Sequence, residues 1–419
     1  MSNPALKTKG NIEVCDGNKA VAYGVLLSRP DVIAVYPITP QSAVGEWLSR
    51  WNDEGKLDAE VVKVEGENSS MGVCCSASLT GGRVFTGTSS WGLLFMMDGL
   101  HYAAGYRIPV VMTNANRETP GIFTIGNSSQ DMWSVRDTGW VQLNVEYNQE
   151  ILDAVIMAYR IAEDTDILLP VMVCYDGFYL SYRKDPLEVP PQEAVEAFLA
   201  PLKTSKRNIV TPDDPMVFGV PSFFPQDQGE GCTEFRYKHS AALERVKDKI
   251  DAVDKNFEDI FGRGYGGQIE AYRMDDADIV LVATGSVCGT AKVVIDKKRD
   301  EGLKVGLIKV RLLRPFPKEK IAKALEGKKG IGVIDRSVCF GYHCGHLYME
   351  MKTAIAFGGL PTTMPTLNFI GGLANLDITV EQVEKTIDLT AAAARGEKTE
   401  EVTWLNLADD PGASLLGYT

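Results

Sequence analysis

Histidine, clustered cysteine and basic charge are all scarce in this sequence of 419 residues. It has only four histidines, so a His-rich metal centre is excluded, and any Ser–His or Cys–His catalytic pair would have to use one of the four. The eight cysteines are scattered and form no C-x-x-C motif, which is typical of reduced thiols in a cytoplasm. Lys and Arg number 43 against 56 Asp and Glu. This balance argues against a nucleic-acid binder, because phosphate neutralisation needs a basic surface.

Long apolar runs and several common motifs are also missing. The first residues carry no apolar segment of the signal-peptide type, and no run approaches the roughly 18 apolar residues of a membrane span. There is no G-x-x-x-x-G-K-[ST] phosphate loop and no G-x-S-x-G nucleophile motif. Thr284–Ala291 reads TGSVCGTA and lacks the G-x-G-x-x-G spacing, so a tight strand-to-helix turn is favoured over a dinucleotide site. From the scattered cysteines and the lack of long apolar runs, we expect a cytoplasmic protein without a membrane span.

Apolar segments of strand length alternate with helical patterns in the first half of the chain. This alternation is typical of an α/β domain whose parallel sheet is covered on both faces. The predicted strands are Val32–Tyr36, Val61–Val64, Val84–Thr88, Val110–Thr113 and Val171–Tyr175, and the predicted helices include Ser69–Leu79, Trp91–Gly105 and Gln149–Glu163.

A proline-rich stretch separates this unit from a second one. Prolines interrupt any periodicity between about 199 and 227, so we expect an extended connection there. Apolar residues three and four apart from Leu243 to Phe257 then predict a helix, which runs into a glycine-rich turn at Gly262–Gly267.

A smaller doubly wound α/β unit follows the turn, because helical patterns alternate with predicted strands at Ile279–Ala283, Val305–Val310 and Gly330–Ile334. The predicted divisions are a first domain with its extended connection over 1–235, a linker helix and glycine-rich turn over 236–268, a second domain over 269–395 and a tail over 396–419.

The segment YPITP at 36–40 lies at the end of a predicted buried strand. Pro37 and Pro40 restrict the backbone on both sides of Thr39, so its hydroxyl is held at the carboxyl edge of a parallel sheet. Open α/β sheets bind ligands at that edge. The segment is a candidate ligand-binding turn, and a purely structural turn would have the same sequence.

The segment VEGENS at 64–69 places Glu65 and Glu67 between a predicted strand and a helix rich in Ala, Ser and Cys. A carboxylate at a helix N-terminus is stabilised by about 0.3–1 kcal/mol, so one interpretation is a helix cap. A second interpretation is that one of the two glutamates is a catalytic carboxylate facing a ligand.

Asn116 and Arg117 follow another predicted strand, again at the sheet edge. An arginine there can offer a forked donor to a carboxylate or phosphate. A salt bridge to the adjacent Glu118 would be a purely structural use of the same side chain.

The segment CFGYHCGH at 339–346 contains two cysteines and two histidines. Structural zinc sites prefer two separated pairs of ligands, whereas here all four fall in one glycine-containing segment. We expect a structural loop after the predicted strand Gly330–Ile334 and no metal site.

Several of these segments together resemble one protein family. YPITP, VEGENSSM, TSSWGLLFMM, Asn116-Arg117 and RDTGW resemble, in matching order, the α subunits of thiamine-diphosphate-dependent 2-oxoacid:ferredoxin oxidoreductases. Pyruvate:ferredoxin oxidoreductase is the best-known member. The later ATGS, LLRPFP and DRSVCFG segments resemble the family's second domain, and the resemblance extends over roughly residues 15–390.

The resemblance implies a doubly wound, pyrimidine-type thiamine-diphosphate-binding domain followed by a smaller α/β domain similar to the C-terminal domain of transketolase. In the family, a carboxylate bonded to the cofactor's pyrimidine ring favours the tautomer that removes the C2 proton. The matching residue here is Glu67, which is thereby implied to be catalytic and cofactor-binding. Thr39 and Arg117 match the family's contacts to the substrate carboxylate, which fix the keto carbon over the cofactor.

A missing motif then implies partner subunits. In the family, Mg²⁺ and the cofactor's diphosphate are held by a GDG…N motif on a separate β subunit with an iron–sulfur cluster, and further subunits or domains carry ferredoxin-like clusters. This chain has neither that motif nor clustered cysteines. We therefore expect it to be inactive alone and to work in a hetero-oligomer with β and iron–sulfur subunits.

The implied activity is CoA-dependent oxidative decarboxylation of a 2-oxoacid to acyl-CoA and CO₂, with electrons passed to ferredoxin or a related acceptor. Pyruvate is the substrate that the family favours. Two departures favour a larger or aromatic acid such as phenylglyoxylate: NRETPGIF at 116–123 replaces N-R-A-L-S-A-P, and SSQD at 128–131 replaces D-H-x-D. Two competing interpretations are a non-catalytic scaffold subunit that has kept the fold and a self-sufficient oxidoreductase that binds NAD in its second domain.

Overall fold

The predicted alternation of strands and helices gives two large sheets in the computed structural model, which describes residues 10–121, 123–199, 209–213, 231–374 and 376–407. Most of the predicted extended connection between about 199 and 227 lies outside these residues.

The described strands and helices alternate along most of the chain. The strands are β1 (Asn11–Asp16), β2 (Val32–Val35), β3 (Glu60–Lys63), β4 (Val84–Thr88), β5 (Val111–Asn116), β6 (Val141–Asn144), β7 (Val171–Asp176), β8 (Lys184–Val189), β9 (Ile269–Tyr272), β10 (Ile279–Ala283), β11 (Val305–Val310), β12 (Leu312–Arg314), β13 (Gly330–Asp335), β14 (Thr366–Ile370) and β15 (Val402–Trp404). The helices are α1 (Gly17–Ser28), α2 (Ser42–Asp53), α3 (Glu67–Leu79), α4 (Ser90–Phe95), α5 (Met97–Gly105), α6 (Gln130–Ser134), α7 (Asn148–Ala162), α8 (Gln192–Leu199), α9 (Cys232–Phe261), α10 (Val287–Asp300), α11 (Lys318–Ala324), α12 (His346–Phe357) and α13 (Val380–Ala394).

Seven of the described strands form the larger sheet, in the order β12-β6-β7-β5-β4-β2-β3. Every neighbouring pair is parallel except β12 with β6. Strands β4, β5 and β7 are buried along their whole length, because α1 and α7 cover one face of the sheet and α3 and α5 cover the other. The predicted doubly wound first domain is confirmed.

Six described strands form the second sheet, in the order β15-β14-β13-β10-β11-β9, and only β9 is antiparallel to its neighbour. Helices α10 and α13 cover one face, and α11 and α12 cover the other. This is the smaller α/β domain that was predicted. Its edge strand β15 pairs with β14, so the sheet extends past residue 395, where the prediction placed the start of a tail. Residues 408–419 of that tail lie outside the described part.

The two units share both a sheet and buried ion pairs. Strand β12 follows the second unit's β11 in the chain but pairs with β6 of the larger sheet. At this junction Nζ of Lys309 lies 2.7 Å from Oε2 of Glu150, and Nε of Arg311 lies 2.8 Å from Oε1 of the same carboxylate. All three side chains are fully buried.

The helix predicted between the units is α9. It begins at Cys232 and ends at Phe261, and it is capped by Gly262, whose φ of +73° is the left-handed conformation that glycine adopts without strain. The predicted apolar positions Val246, Ile250 and Phe257 are buried against the first domain.

Candidate functional site

The three site residues predicted from the sequence all lie at the carboxyl edge of the larger sheet. Thr39 follows β2, Glu67 is the first residue of α3 after β3, and Arg117 directly follows β5. Strand β4 lies between β5 and β2 and leads into α4. Parallel sheets bind ligands at this edge, so the arrangement is suited to one shared site.

The side chain of Arg117 is held by backbone carbonyl groups. Its Nη1 donates to the oxygen of Thr39 at 3.0 Å, and its Nε donates to the oxygen of Thr124 at 2.7 Å. Among the described residues it forms no ion pair with Glu118, whose carboxylate instead accepts from Thr119. A local salt bridge is therefore not what the structure shows. Arg117 joins two loops of the sheet edge.

Two exposed aromatic rings flank the Arg117 guanidinium. Its Cζ lies 5.9 Å from the ring centre of Trp91 and 5.8 Å from that of Phe123, and these rings contact each other edge to face at 6.2 Å. Trp91 is 45% exposed and Phe123 is 78% exposed. Burial lowers the pKa of Arg117, and the negative charge of Asp131 opposes that effect.

The hydroxyl group of Thr39 is available to a ligand. The residue is exposed, and within the described ranges its side chain forms no hydrogen bond. Its carbonyl group is the part that binds Arg117, so the hydroxyl and the guanidinium belong to neighbouring parts of the same edge.

Glu67 is a buried carboxyl group that has no cationic partner among the residues that the structure describes. It is 7% exposed, and the hydrogen bond that it accepts within the described part of the chain comes from its own backbone N–H. Burial raises the pKa of Glu67 above its ordinary value, although its position at the N-terminus of α3 favours the charged form. Such a group is suited to pair with a proton-bearing nitrogen of a ligand.

The neighbouring Glu65 has a different environment. It is exposed, and its carboxylate accepts a hydrogen bond from the hydroxyl of Ser69 at 2.7 Å. That hydrogen bond lowers the pKa of Glu65. Of the two glutamates in the motif, Glu67 is the buried one, whereas Glu65 is exposed.

Gly92 of α4 packs directly against Glu67. A Cβ atom on Gly92 would lie 2.3 Å from Oε1 of Glu67 and 2.3 Å from Oγ1 of Thr88. The Thr88 hydroxyl is buried and has no hydrogen-bond partner among the described residues. In the sequence this segment is recognisable only as a family motif, and nothing there gives Gly92 a role. The single helix predicted for it is two helices, α4 and α5, separated at Met96.

Asp131 likewise has no role that the sequence alone reveals, although residues 128–131 depart from the family pattern. It is fully buried at the start of α6, where its carboxylate accepts hydrogen bonds from the first residue of α4, from β5 and from the residue that follows β5. A single Asp in the first turn of a short helix carries no local signal of such contacts, because they depend on the tertiary fold.

The segment at 339–346 forms a loop after β13, as predicted. Cys339 and Cys344 face each other across an isolated antiparallel bridge, and His346 begins α12 with its ring stacked on Trp133 at 5.6 Å. Nδ1 of His346 is hydrogen-bonded to the hydroxyl of Ser337. No group of three or more potential His, Cys, Asp or Glu metal ligands occurs in the described ranges.

The carboxylate of Asp176, from the first domain, lies against the TGS turn (residues 284–286) of the second domain. The backbone N–H of Ser286 donates to Oδ2 of Asp176 at 2.9 Å, and a Cβ on Gly285 would lie 3.0 Å from both oxygens of that carboxylate. A carboxylate in this position disfavours a phosphate ligand, so the turn has a structural role.

No helix within the described residues is both long enough and apolar enough to cross a membrane.

Comparison with known families and structures identifies relatives of this chain. Residues 23–255 match the family of pyruvate flavodoxin/ferredoxin oxidoreductase thiamine diphosphate-binding domains, and residues 277–383 match core domain II of pyruvate:ferredoxin oxidoreductase. The chain is 40% identical to the pyruvate synthase subunit PorA of Methanothermobacter thermautotrophicus over 95% of this chain and 99% of that protein. It is 38% identical to the α subunit of the NADH-dependent phenylglyoxylate dehydrogenase of Aromatoleum evansii, over 96% of each chain.

A solved structure shows the same fold. The 2-oxoglutarate:ferredoxin oxidoreductase of Magnetococcus marinus superposes with a TM-score of 0.69 at 20% identity. The match covers 90% of this chain and 65% of that one, so this chain spans less than two thirds of its length. The family resemblance inferred from the motifs is confirmed by the domain matches and the nearly full-length relatives. The chain belongs to the pyruvate flavodoxin/ferredoxin oxidoreductase family of 2-oxoacid oxidoreductases, and it corresponds to their α subunit.

Proposed function

We propose that this chain is the α subunit of a complex that oxidatively decarboxylates a 2-oxoacid to an acyl-CoA and CO₂, with electrons passed to ferredoxin or a related acceptor. Its own part is to bind the pyrimidine side of thiamine diphosphate through Glu67 and the substrate carboxylate through Thr39 and Arg117. The complex works in the cytoplasm, and its iron–sulfur clusters are on partner subunits.

The buried carboxyl group of Glu67 is the observation that carries the proposal. It has a raised pKa and no partner from another residue in the described ranges, and Gly92 leaves room for the carboxyl group itself, because a Cβ atom there would lie 2.3 Å from its Oε1. These features fit an aminopyrimidine, whose ring nitrogen can share a proton with a carboxylate. When bound, thiamine diphosphate supplies a carbon nucleophile and an electron sink for the decarboxylation. Glu67 holds the proton at the pyrimidine nitrogen and thereby favours the cofactor's basic tautomer.

The Arg117 and Thr39 pair is suited to the charged end of the substrate. The guanidinium is fixed by two carbonyl groups, so it loses little freedom when it binds an anion. The exposed hydroxyl of Thr39 adds a neutral donor on the adjacent loop. Together they would orient a 2-oxoacid by its carboxylate, which leaves the keto carbon free to react.

The remaining half of the site is proposed to come from a β subunit that binds the diphosphate through Mg²⁺. The chain has no GDG…N motif for that purpose. Aromatic side chains next to Glu67 are also exposed: Phe95 is 61% exposed, and its Cε1 would lie 3.2 Å from a Cβ on Gly66. A subunit docked at this edge would cover Phe95 and Trp91 and exclude water from the carboxyl group.

Pyruvate is the proposed substrate, because the M. thermautotrophicus relative is a pyruvate synthase subunit and is aligned over almost its whole length. An arylglyoxylate is the second candidate. The exposed Trp91–Phe123 pair beside Arg117 supports it, since an aromatic substrate anchored at the guanidinium could contact these rings.

The test is an assay of the native complex with pyruvate, 2-oxoisovalerate, indolepyruvate and phenylglyoxylate, with CoA and ferredoxin present. The proposal predicts CoA-dependent CO₂ release with the highest kcat/KM for pyruvate. The highest value for phenylglyoxylate would support the second candidate, and no activity with any of the four acids would contradict the proposed function.

Binding of thiamine diphosphate tests the shared site separately. Calorimetry should detect negligible binding by the isolated chain and tight binding after the β subunit is added. Tight binding by the isolated chain would contradict the proposed division of the site.

A further inference from the structure

Asp131 joins three elements at the substrate end of the site. Its Oδ2 atom accepts from the backbone N–H of Ser90 at 3.0 Å, from Nδ2 of Asn114 at 2.9 Å and from the backbone N–H of Arg117 at 3.2 Å. Its Oδ1 atom accepts from the backbone N–H of Met132 at 2.8 Å. The side chain is fully buried, so it does not contact solvent or a substrate at this edge of the sheet.

The groups that Asp131 binds are connected to both proposed functional residues. Ser90 has a φ of +46°, an unfavourable conformation for a residue with a side chain, and the carboxylate receives the N–H of this strained turn. The next two residues are Trp91, whose ring lies beside the Arg117 guanidinium, and Gly92, which packs against Glu67. The same oxygen therefore holds the start of α4 and the main chain of Arg117 together.

The second domain holds the helix that carries Asp131. Nε2 of Gln130 donates to the backbone oxygen of Val338 at 3.1 Å, and the N–H of Val338 donates back to Oε1 of Gln130 at 2.9 Å. The N–H of Ser129 donates to the backbone oxygen of Arg336 at 2.8 Å. These bonds hold Gln130 and Ser129, the two residues that precede Asp131, against the second domain.

We propose that Asp131 is a positioning residue that sets the place of the Arg117 main chain relative to the α4 turn, and that the second domain secures it through Gln130. The proposal rests on the proposed role of Arg117 as the carboxylate-binding group. It assigns the second domain a part in substrate binding, although none of its residues is proposed to contact the substrate. Asp131 itself forms and breaks no bond in the reaction.

The test is steady-state kinetics of the complete complex with Asp131→Asn, using the most active of the four 2-oxoacids above. Asn keeps the size of the side chain but presents an NH₂ group to N–H donors, so the Arg117 main chain should shift. The KM for the 2-oxoacid should rise about tenfold, the factor that corresponds to one charge-assisted hydrogen bond. The kcat value and the half-saturating concentration of thiamine diphosphate should each change less than about threefold.

Asp137→Asn is the matched control, because Asp137 lies just beyond the same helix and its side chain is 82% exposed. It should leave all three kinetic values unchanged. Gln130→Ala is the second variant, since it removes the two bonds to Val338 without changing a buried charge. It should raise the KM for the 2-oxoacid in the same selective way, by a smaller factor. If the Asp131→Asn complex does not assemble, the KM of Gln130→Ala tests the positioning role on its own.

Unchanged KM in these variants would overturn the proposal, and so would a parallel rise in the thiamine diphosphate requirement, which indicates a general structural role. Arg117→Lys separates this failure from failure of the proposed function. A raised KM in Arg117→Lys with a normal KM in Asp131→Asn refutes only the positioning role. A normal KM in Arg117→Lys refutes the assignment of Arg117, and with it the reason for positioning that residue.

Discussion

Oε1 of Glu67 lies 2.3 Å from the point that a Cβ atom on Gly92 would occupy. Real Cβ atoms do not approach oxygen so closely, so only glycine at position 92 allows the carboxyl group to lie where it does. The contact joins the first turn of α3 to α4, which come from opposite sides of β4 in the chain. A residue with no functional group thereby determines the location of the proposed cofactor-binding group.

Gly92→Ala should therefore impair cofactor binding. The added methyl group would displace the Glu67 carboxyl or α4, a change that typically costs about 1–3 kcal/mol. The half-saturating concentration of thiamine diphosphate for the assembled complex should rise by about tenfold or more. It can be measured by titrating the cofactor into complex from which it has been removed.

The control for Gly92→Ala is Gly72→Ala on α3, where an added Cβ would meet no atom within 4 Å. Gly72 is exposed within the helix, so alanine should raise the free energy of unfolding by about 0.5–1 kcal/mol and leave the cofactor titration unchanged. Equal cofactor titrations for the two variants would show that the Glu67–Gly92 contact does not matter for binding.

Phe123→Ala should change the choice of substrate. The Phe123 ring is 78% exposed and lies beside Arg117, where the organic part of a bound 2-oxoacid would extend. We expect kcat/KM for phenylglyoxylate to fall by about two- to tenfold relative to that for pyruvate, because a ring–ring contact contributes about 0.5–1.5 kcal/mol. Phe357→Ala is the control, since Phe357 is 72% exposed at the end of α12 in the second domain. A constant ratio of the two kcat/KM values in both variants would exclude a contact between Phe123 and the substrate.

Glu150→Ala should destabilise the junction of the two domains. Its removal would leave the buried cations Lys309 and Arg311 without their closest shared partner. Loss of one member of a buried ion pair costs about 3–5 kcal/mol, so the urea midpoint should fall strongly. Glu258→Ala, which removes a partner of the exposed Lys255, should leave the midpoint unchanged. Similar midpoints for the two variants would contradict the role assigned to Glu150.

The stability of the chain should also depend on pH through two buried aspartates. Burial raises the pKa of Asp131 and of Asp335 from 3.8 to about 7, although each carboxylate accepts several hydrogen bonds. Between these values the folded chain retains protons that the unfolded chain has released. This contribution to the free energy of unfolding is therefore present below pH 3.8 and is lost as the pH rises to about 7.

Urea unfolding at several pH values checks this linkage. Replacing one aspartate with asparagine removes one titrating group, so the decline between pH 4 and pH 7 should become shallower, by up to about 1.4 kcal/mol per pH unit. The variants Asp131→Asn and Asp335→Asn should each show this change. A pH dependence identical to that of the unchanged chain in both variants would show that the two carboxyl groups titrate at ordinary values.

The sequence predicted the strands that consist of local apolar runs. Val84–Thr88, Ile279–Ala283 and Val305–Val310 have the predicted bounds. It did not predict β6, whose short sequence VQLN alternates apolar and polar residues, or β12, which has three residues. Both are strands because each pairs with the other and β6 also pairs with β7, and such partners are not visible in a local pattern.

The site shows the same division between local and tertiary information. Thr39, Arg117 and the glutamates of VEGENS could be proposed because each follows a predicted strand within a short motif, and the family resemblance then selected Glu67. The approach of Gly92 to Glu67 and the bonds from Asp131 to Ser90 and Arg117 join segments distant in the chain. Composition and spacing do not specify which of those segments meet.

The most direct test of the account is the turnover of the assembled complex with Glu67→Gln compared with Glu65→Gln. Both substitutions remove one carboxylate from the same motif, but Glu67 is buried at the sheet edge and Glu65 is exposed. If Glu67 holds the proton that favours the reactive tautomer, Glu67→Gln should lower 2-oxoacid-dependent, CoA-dependent turnover by about 10²–10⁴-fold, while Glu65→Gln remains near normal. Near-normal turnover in a Glu67→Gln complex that assembles fully would contradict the central claim and favour a non-catalytic scaffold.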